Sequence, residues 1–514
     1  MRTPGADITD LLPTPTRRWL GLVCLIAALL TIGLDVTVLA IALPTLATAV
    51  GASTSELQWI TNAFTLPFAA LLLPSTALGT RGPKQLLMVG LALFAAGSAV
   101  ALSADSAAGL MASRALMGAG AAATVPHALS LAPTLASPGG REGAAAVASA
   151  GFALGLPLGP VVGGWLLATY GWHAIFVVNI AVVLAALVGV ALAVPEQGRR
   201  RDESVDAVCA VLVLAGTWAV AYAVTEASTR GWAHPVTLLV FLAGAALLCA
   251  MVNRLIRTRS PLADAVLWRH PRFTWAICTL SFTTLILLAL LFMMPQYLQQ
   301  VQGYDAWATG VRLMPMMAGF ALGTVAGNLF VTVADAKWAL VLGMLLWSFA
   351  LLWIGQLSHD SSYPIAAGAL VTTGLALGFT LPTALKALTG SLPPEKVVTA
   401  HALANTCRQI AATFGIAVMG GVLNTTYRRE LREDAPADLA DGVVDEARQS
   451  MADAAEAAAA LPTREGEDLV TLAQHAFITG MTTTARIGAS VTALLALLLM
   501  VRMPTLRRAP RRAP

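Results

Sequence analysis

The chain has 514 residues, of which 57% are hydrophobic and 12% charged, and its mean hydropathy is +0.73. That balance excludes a string of water-soluble domains, although the length would allow several, and makes lipid the expected solvent. The formal net charge is only +4, and no nucleic-acid partner is expected.

Apolar windows of about 20 residues, the length that crosses a bilayer, recur between short turns rich in Gly, Pro or charge. They fall near 19–42, 57–79, 85–104, 108–133, 143–168, 172–194 and 205–225, then 235–256, 273–298, 307–331, 337–357, 363–389, 398–424 and 477–501. The first window has no small-residue cleavage site and runs on into GLDVTVLAIALPTL, which reads as a retained helix rather than a signal peptide. Fourteen spans put both termini on one side. Most of the 32 Lys and Arg residues lie in the tails and in alternate loops, among them Arg17, Arg18, Arg81, Lys84, Arg141, Arg199 to Arg201, Arg254, Arg257 and Lys337. The short loops between them hold only Arg230. Basic residues favour the cytoplasm, so both tails are expected there, in a bacterial inner membrane.

The segment 425–475 breaks the pattern, with five Arg against twelve Asp or Glu. Long loops translocate regardless of charge. Its helical stretch DLADGVVDEARQSMADAAEAAAAL is expected to pack loosely over the mouth of the bundle as a solvated cap. The five cysteines, Cys24, Cys209, Cys249, Cys278 and Cys407, lie in apolar windows without the spacing of a zinc site or disulfide framework. No metal site is expected.

Several residues oppose the lipid around them. In the first window Asp35 stands alone, and an ionised carboxylate there costs roughly 2.5 to 3.5 kcal/mol on insertion scales. It should therefore face a cavity and bind a proton or cation, unless it merely pairs with a basic neighbour. Window four, SRALMGAGAAATVPHAL, carries Arg114, either a structural ion-pair partner or a fixed cation that sets when a nearby acid takes up a proton. His127 in the same window reads as a satisfied core residue. Window five, GFALGLPLGPVVGGW, sets Gly151, Gly155, Gly159 and Gly163 four apart on one face, with Pro157 and Pro160 loosening its middle and Gly164 beside them. A bare small-residue face packs another helix; here a sliding contact between two halves of the molecule is expected. Glu226, Arg312, Lys386, Arg408 and Arg486 complete the intramembrane charges, most of them near enough to a helix end to snorkel.

In order and spacing, LDVTVLAIALP, RALMGAGAA and GLPLGPVVGG resemble the motifs of the major facilitator superfamily, in its drug:proton antiporter branch with fourteen helices. QWITNAFTL, GWHAIFVVN, PQYLQQVQGYDAWATGVRLMP and HALANTCRQIAATFGIAV extend the resemblance over nearly the whole chain. It implies an all-α membrane fold of two six-helix bundles plus two inserted helices. Residues 1–18 would be a cytoplasmic tail, 19–194 the N-terminal bundle, and 195–257 a linker with the inserted pair. Residues 258–501 would be the C-terminal bundle, including the loop 425–475, and 502–514 a basic cytoplasmic tail. A substrate cavity would lie between the bundles, with Trp59, Asn62, Arg312 and Arg408 as candidate lining residues. The resemblance assigns proton coupling to Asp35, with Arg114 as its charge partner, and the antiporter motif to Gly151, Gly155, Gly159, Pro160, Gly163 and Gly164. One departure stands out: the cytoplasmic gate loop reads TALGTRGPKQ, keeping Arg81 and Lys84 but placing Thr80 where the family has Asp.

The implied activity is proton-driven export of small hydrophobic drugs or antibiotics by a monomer, with the ion gradient rather than a cofactor as its energy source. No G-x-x-x-x-G-K-[ST] phosphate loop occurs in the sequence. Export of one metabolite or a self-made antibiotic is the nearest alternative. An intramembrane enzyme would require a constellation such as H-E-x-x-H or G-x-S-x-G, which the chain lacks, and a non-transporting sensor would require a soluble signalling domain.

Overall fold

The computed structural model describes residues 15–79, 82–137, 140–196, 207–231, 233–257, 270–389, 394–435 and 440–505. Among these residues it is helical throughout, without strands. The first six helices are α1 (Pro15–Val50), α2 (Thr54–Gly79), α3 (Pro83–Leu102), α4 (Ala107–Leu131), α5 (Arg141–Tyr170) and α6 (His173–Ala193). Then come α7 (Ala207–Arg230) and α8 (Pro235–Arg257), the two that the sequence reads as inserted. The rest begins with α9 (Pro271–Gln296), which runs on as a π-turn to Val301, then α10 (Ala306–Arg312), α11 (Met314–Val333), α12 (Ala336–Ile354) and α13 (Tyr363–Thr389). It closes with α14 (Pro394–Phe414), a π-turn over Gly415–Met419, α15 (Gly420–Glu433), α16 (Asp441–Ala447), α17 (Met451–Ala459) and α18 (Thr463–Arg502). Eleven stretches of these helices are long and apolar enough to cross a membrane. The α2, α5 and α7 helices, of 26, 30 and 24 residues, occupy the remaining predicted spans.

Local chemistry sets the helix ends. Ser106, Asp305, Asp335 and Ser450 cap α4, α10, α12 and α17 by accepting hydrogen bonds from backbone N–H groups of the first turn. At the end opposite the termini, Gly51 and Gly171 make the tight turns into α2 and α6 with φ of +60° and +79°, a region costly for any residue with a Cβ.

Two bundles result. In the first, α1 packs on α5 and α6, and α4 packs between α2 and α3; in the second, α9 packs on α13 and α14, and α12 packs between α13 and α18. The α7–α8 pair rests on α2 from one side and on α14, its π-turn and α15 from the other.

The segment read as a loose cap is neither long nor loose. The thirteenth span continues to Glu433 and α18 already begins at Thr463, so the connection shrinks to α16, α17 and short links. Ala447 and Ala454 are almost fully buried in it, as are Leu469 and Ala473 in the first turns of α18. Tyr427 Oη donates to Ala447 O at 2.9 Å, and Thr54 Oγ1 to Gln449 O at 3.0 Å. The alternation of alanines with acids gives α17 a buried small-residue face, which a count of bulky apolar residues overlooks.

Candidate functional site

Four helices of the first bundle converge on Asp35. Arg114 Nη1 from α4 donates to Asp35 Oδ2 at 2.5 Å, and Asn179 Nδ2 from α6 donates to Asp35 Oδ1 at 2.9 Å. The guanidinium lies over the Phe64 ring of α2, 4.5 Å from its centroid. Asp35 and Arg114 are each only 2% exposed. The expectation that Asp35 faces a cavity is thus not met in this conformation. Both carboxylate oxygens are satisfied, one by a fixed cation and the other by an amide donor. Arg114 Nε has no hydrogen-bond partner among the described residues, and Asp35 is the acid that neutralises the cation. Asn179 ends the stretch GWHAIFVVN; an amide in so apolar a window was the signal for it.

The glycine face of α5 lies against α1, inside the same bundle. A Cβ at Gly155 would come within 2.7 Å of Leu34 N, one at Gly159 within 2.8 Å of Leu34 O, and those at Gly151 and Gly163 within 2.9 Å of Ile26 Cγ2 and Val38 Cγ1. This corrects the expectation of a sliding seam between bundles: backbone-to-backbone approach is close packing, fixed by the absence of side chains. The adjoining face does reach the other bundle. A Cβ at Gly164 would lie 2.5 Å from Ala306 O, and Gly310 packs on Pro160 O. A four-residue period identifies a stripe; it does not say which helix covers it.

Other contacts between the bundles lie toward the same end, opposite the termini. Gln299 Nε2 donates to Ile41 O at 3.0 Å. Nearer mid-helix, the Thr65 and Thr413 hydroxyls are 2.8 Å apart. Gln58 and Asn62, one turn apart on α2, are fully buried with no hydrogen-bond partner among the described residues on either side-chain nitrogen or oxygen. Such unpaired amides are costly to bury, and Gln58, which touches Gly420, was not singled out from the sequence.

The profile of the Major Facilitator Superfamily matches residues 25–416. The chain belongs to this superfamily. It is 31% identical over 467 residues to the methyl viologen resistance protein SmvA of Salmonella typhimurium, covering 90% of this chain and 93% of that one. It is also 31% identical to the multidrug efflux pump LfrA of Mycolicibacterium smegmatis, over 93% of this chain and 94% of that one. With the tetracenomycin C resistance and export protein of Streptomyces glaucescens the identity is 30%, over 90% and 88%. In fold it is similar to a bacterial homologue of the human lysosomal transporter Spinster, with a TM-score of 0.68 and 16% identity over 95% of this chain and 97% of that one. It is therefore a multi-span membrane transporter of the bacterial efflux type, acting on small molecules.

The remaining candidates are scattered through this superfamily fold. Trp59 packs on Trp218 and Tyr222 of α7, with ring centroids 6.3 and 6.2 Å away, and so serves the inserted pair. Arg408 on α14 donates from Nε to Thr284 Oγ1 at 3.1 Å and from Nη1 to Asn405 Oδ1 at 3.3 Å. Arg312 lies far from it in the fold, at the end opposite the termini, stacked 3.7 Å over the Tyr304 centroid with Tyr363 beyond at 5.2 Å. His127 Nε2 meets the carbonyl and hydroxyl of Ser75. Arg81 and Thr80 lie outside the described residues. Lys84 Nζ donates to Ala191 O at 2.9 Å, joining α3 to the end of α6. In the second bundle the turn between α11 and α12 carries Asp335, which accepts from Arg272 Nη2 at 2.8 Å on both oxygens.

Proposed function

We propose that this transporter is a proton-coupled exporter of hydrophobic drugs or antibiotics, working as a monomer in the bacterial cytoplasmic membrane with both termini in the cytoplasm. The observation that carries it is the buried Asp35–Arg114–Asn179 network, inside a chain similar along nine-tenths of its length to efflux proteins. Protonating Asp35 removes the charge that neutralises Arg114, and breaking a buried pair from one side costs about 3 to 5 kcal/mol. The first bundle relaxes only if Arg114 finds water or another partner, so proton uptake favours a different packing of α1, α4 and α6. The bundles then rock about the path between them, and the substrate leaves as the seam near Thr65 and Thr413 opens. Gln58 and Asn62, buried without hydrogen-bond partners among the described residues, would gain water in that opened state, which favours the same direction of movement.

Transport into inverted vesicles with an imposed pH gradient tests the reading. Drug accumulation should collapse when the gradient is dissipated, and drug entry should release protons; accumulation indifferent to the gradient would refute proton coupling. A panel comparing cationic dyes with natural-product antibiotics separates broad export from dedicated export of one antibiotic, which the similarity to the tetracenomycin C exporter favours as a second reading. Orientation is tested separately. Ser450 is buried as a helix cap and would report poorly, whereas Glu467 is exposed. Glu467→Cys should react with an impermeant thiol reagent in intact cells, and reaction only after lysis would reverse the topology.

A further inference from the structure

The short connections opposite the termini contain one basic residue, Arg230, and the segment 425–475 contains five. The fold brings Arg230 together with four of those five, Arg428, Arg429, Arg432 and Arg448, around a single pocket of about 550 Å³ between the ends of α7, α15 and α16. Carboxylates offset part of this charge. Glu226 pairs with Arg230, Glu430 and Glu433 face Arg429, and Asp445 pairs with Arg448. Arg428 and Arg432 make no direct ion pair among the described residues, Asp445 acting on Arg428 only at longer range against the like charge of Arg448, and Arg448 Nε is buried without a hydrogen bond. Converging guanidiniums with unused donors fit the oxygens of a phosphate diester.

The pocket does not end at the arginines. Thr425 also lines a second groove of about 520 Å³ that runs toward the membrane interior. Its walls include Val220, Val224, Phe241, Phe414 and Val418, and apart from Thr425 and Thr426 its lining is apolar or Gly421. From Val418 to Arg432 is about 20 Å along a helix, comparable to an extended acyl chain with its headgroup linkage. The walls come from the inserted pair α7–α8 and from α9, α14 and α15; among the described residues none comes from α1 to α6. A substrate passing between the two bundles therefore does not cross this groove.

We propose that the joined groove and pocket hold one anionic phospholipid of the leaflet facing away from the termini, its phosphate against Arg428 and Arg432 and an acyl chain along Val224, Phe414 and Val418. Such a lipid fastens the α7–α8 pair to the second bundle, where that contact would otherwise leave an open apolar slot. The charge complements a phosphodiester, the slot complements a chain, and shared Thr425 makes them one site.

The test uses the full chain purified in a neutral detergent. Palmitoyl-oleoyl phosphatidylglycerol, phosphatidylcholine with the same chains, and glycerol phosphate alone are titrated, with Tm and native mass spectrometry as readouts. Phosphatidylglycerol should raise Tm and remain bound as one molecule, while the other two should do neither. Arg428→Gln with Arg432→Gln should weaken phosphatidylglycerol roughly twenty-five-fold, at about fivefold per cationic contact near a membrane surface. If that pair is unstable, Arg432→Gln alone, at an exposed position, should cost about fivefold. Val418→Trp keeps every arginine and fills the slot, and should also abolish the shift. Equal shifts with phosphatidylcholine, or unchanged affinity in the arginine variants, would overturn the site. A full shift from glycerol phosphate, or none lost in Val418→Trp, would leave a small-anion pocket and overturn the lipid. Competition by an exported drug would place the groove on the transport path and equally overturn it.

Discussion

In the first bundle α1 meets α5 backbone to backbone across glycines, and α4 packs on both α2 and α3; in the second, α9 packs on α14 and meets Gly415 of the π-turn that follows it, and α13 packs on both α11 and α12. The helix contacts repeat, but the charges do not. The first bundle hides an acid–base pair at its centre, held by α1, α4 and α6. In the second, the central cation, Arg408, bonds only neutral oxygens on Thr284 and Asn405, and the acid–base pair Arg272–Asp335 sits at the termini end. Similar scaffolds thus carry two different electrostatic devices. One has a charge that a proton can cancel, and the other has a cation that pairs with no acid among the described residues.

The largest expected effect comes from making the first bundle resemble the second. Asp35→Asn keeps the shape and the bond to Asn179 but leaves Arg114 buried and unpaired, which should cost about 3 to 5 kcal/mol and lower Tm and abundance. Gradient-driven export should fall to background. Adding Arg114→Gln should restore Tm without restoring export, and that split separates coupling from folding. Export with unchanged pH dependence in either variant would end the assignment of coupling to Asp35.

Bulk in the glycine seams should come next, and it should affect both bundles alike. Gly155→Leu and Gly415→Leu each force a side chain against backbone, at Leu34 N and Leu285 C respectively. Overpacking of this kind costs about 1 to 3 kcal/mol, more when backbone cannot shift. Each variant should lose Tm and transport in step. Gly164→Leu meets Ala306 of the opposite bundle instead. It should keep most of its stability while losing turnover, because it prevents one closure rather than one fold. A Gly164→Leu variant that melts as early as Gly155→Leu would erase the distinction between the two faces of α5.

A smaller and more selective change is expected at Arg408. Arg408→Gln retains hydrogen bonding to Thr284 while removing a cation that no acid balances. Coupling to the pH gradient should survive. Export of anionic substrates should drop by about tenfold relative to cationic dyes, corresponding to about 1.4 kcal/mol of lost attraction. A uniform drop across substrates of either charge would show that Arg408 supports the helix and not the cargo.

Apolar periodicity made the helices legible, and the isolated polar residues in lipid-length windows pointed to Asp35 and Arg114. What periodicity does not encode is the identity of the covering helix. Hence the glycine stripe of α5 covers a different seam from the one its spacing suggests, and Arg312 stands apart from Arg408, stacked over Tyr304. Gln58 and Asn179 lay in quoted motifs, yet each looked like an ordinary helical amide until three-dimensional contact showed one orphaned and the other holding Asp35. The connection before α18 was misread for a related reason: alanine is a weak hydrophobic signal in sequence and an effective close-packing residue in a structure.

That connection also distinguishes the bundles, since α5 and α6 are joined by a two-residue turn while α15 and α18 are joined through α16 and α17. Asp453 on α17 is half-buried, and burial pushes its carboxyl above the ordinary carboxylate range, helped by the nearby charges of Glu456, Glu446 and Glu56 against a hydrogen bond from Ser450 that lowers it. The folded chain therefore holds this proton more tightly than the unfolded chain does. As pH rises from the unfolded carboxyl's titration to the folded one's, the unfolded state binds fewer protons and stability falls. Asp453→Asn removes that loss while its amide oxygen still accepts from Ser450. The variant should melt slightly above the wild type at neutral pH, and the gap should close below the ordinary carboxylate range, where Asp453 is protonated in both states. Melting curves at about pH 7.5 and about pH 2.5, on either side of the carboxylate range, read the effect directly. A gap that widens in acid would mean that Asp453 is held by a cationic partner, and the cap would then join the bundles by attraction between charges rather than by the packing of Ala447, Ala454 and Leu469.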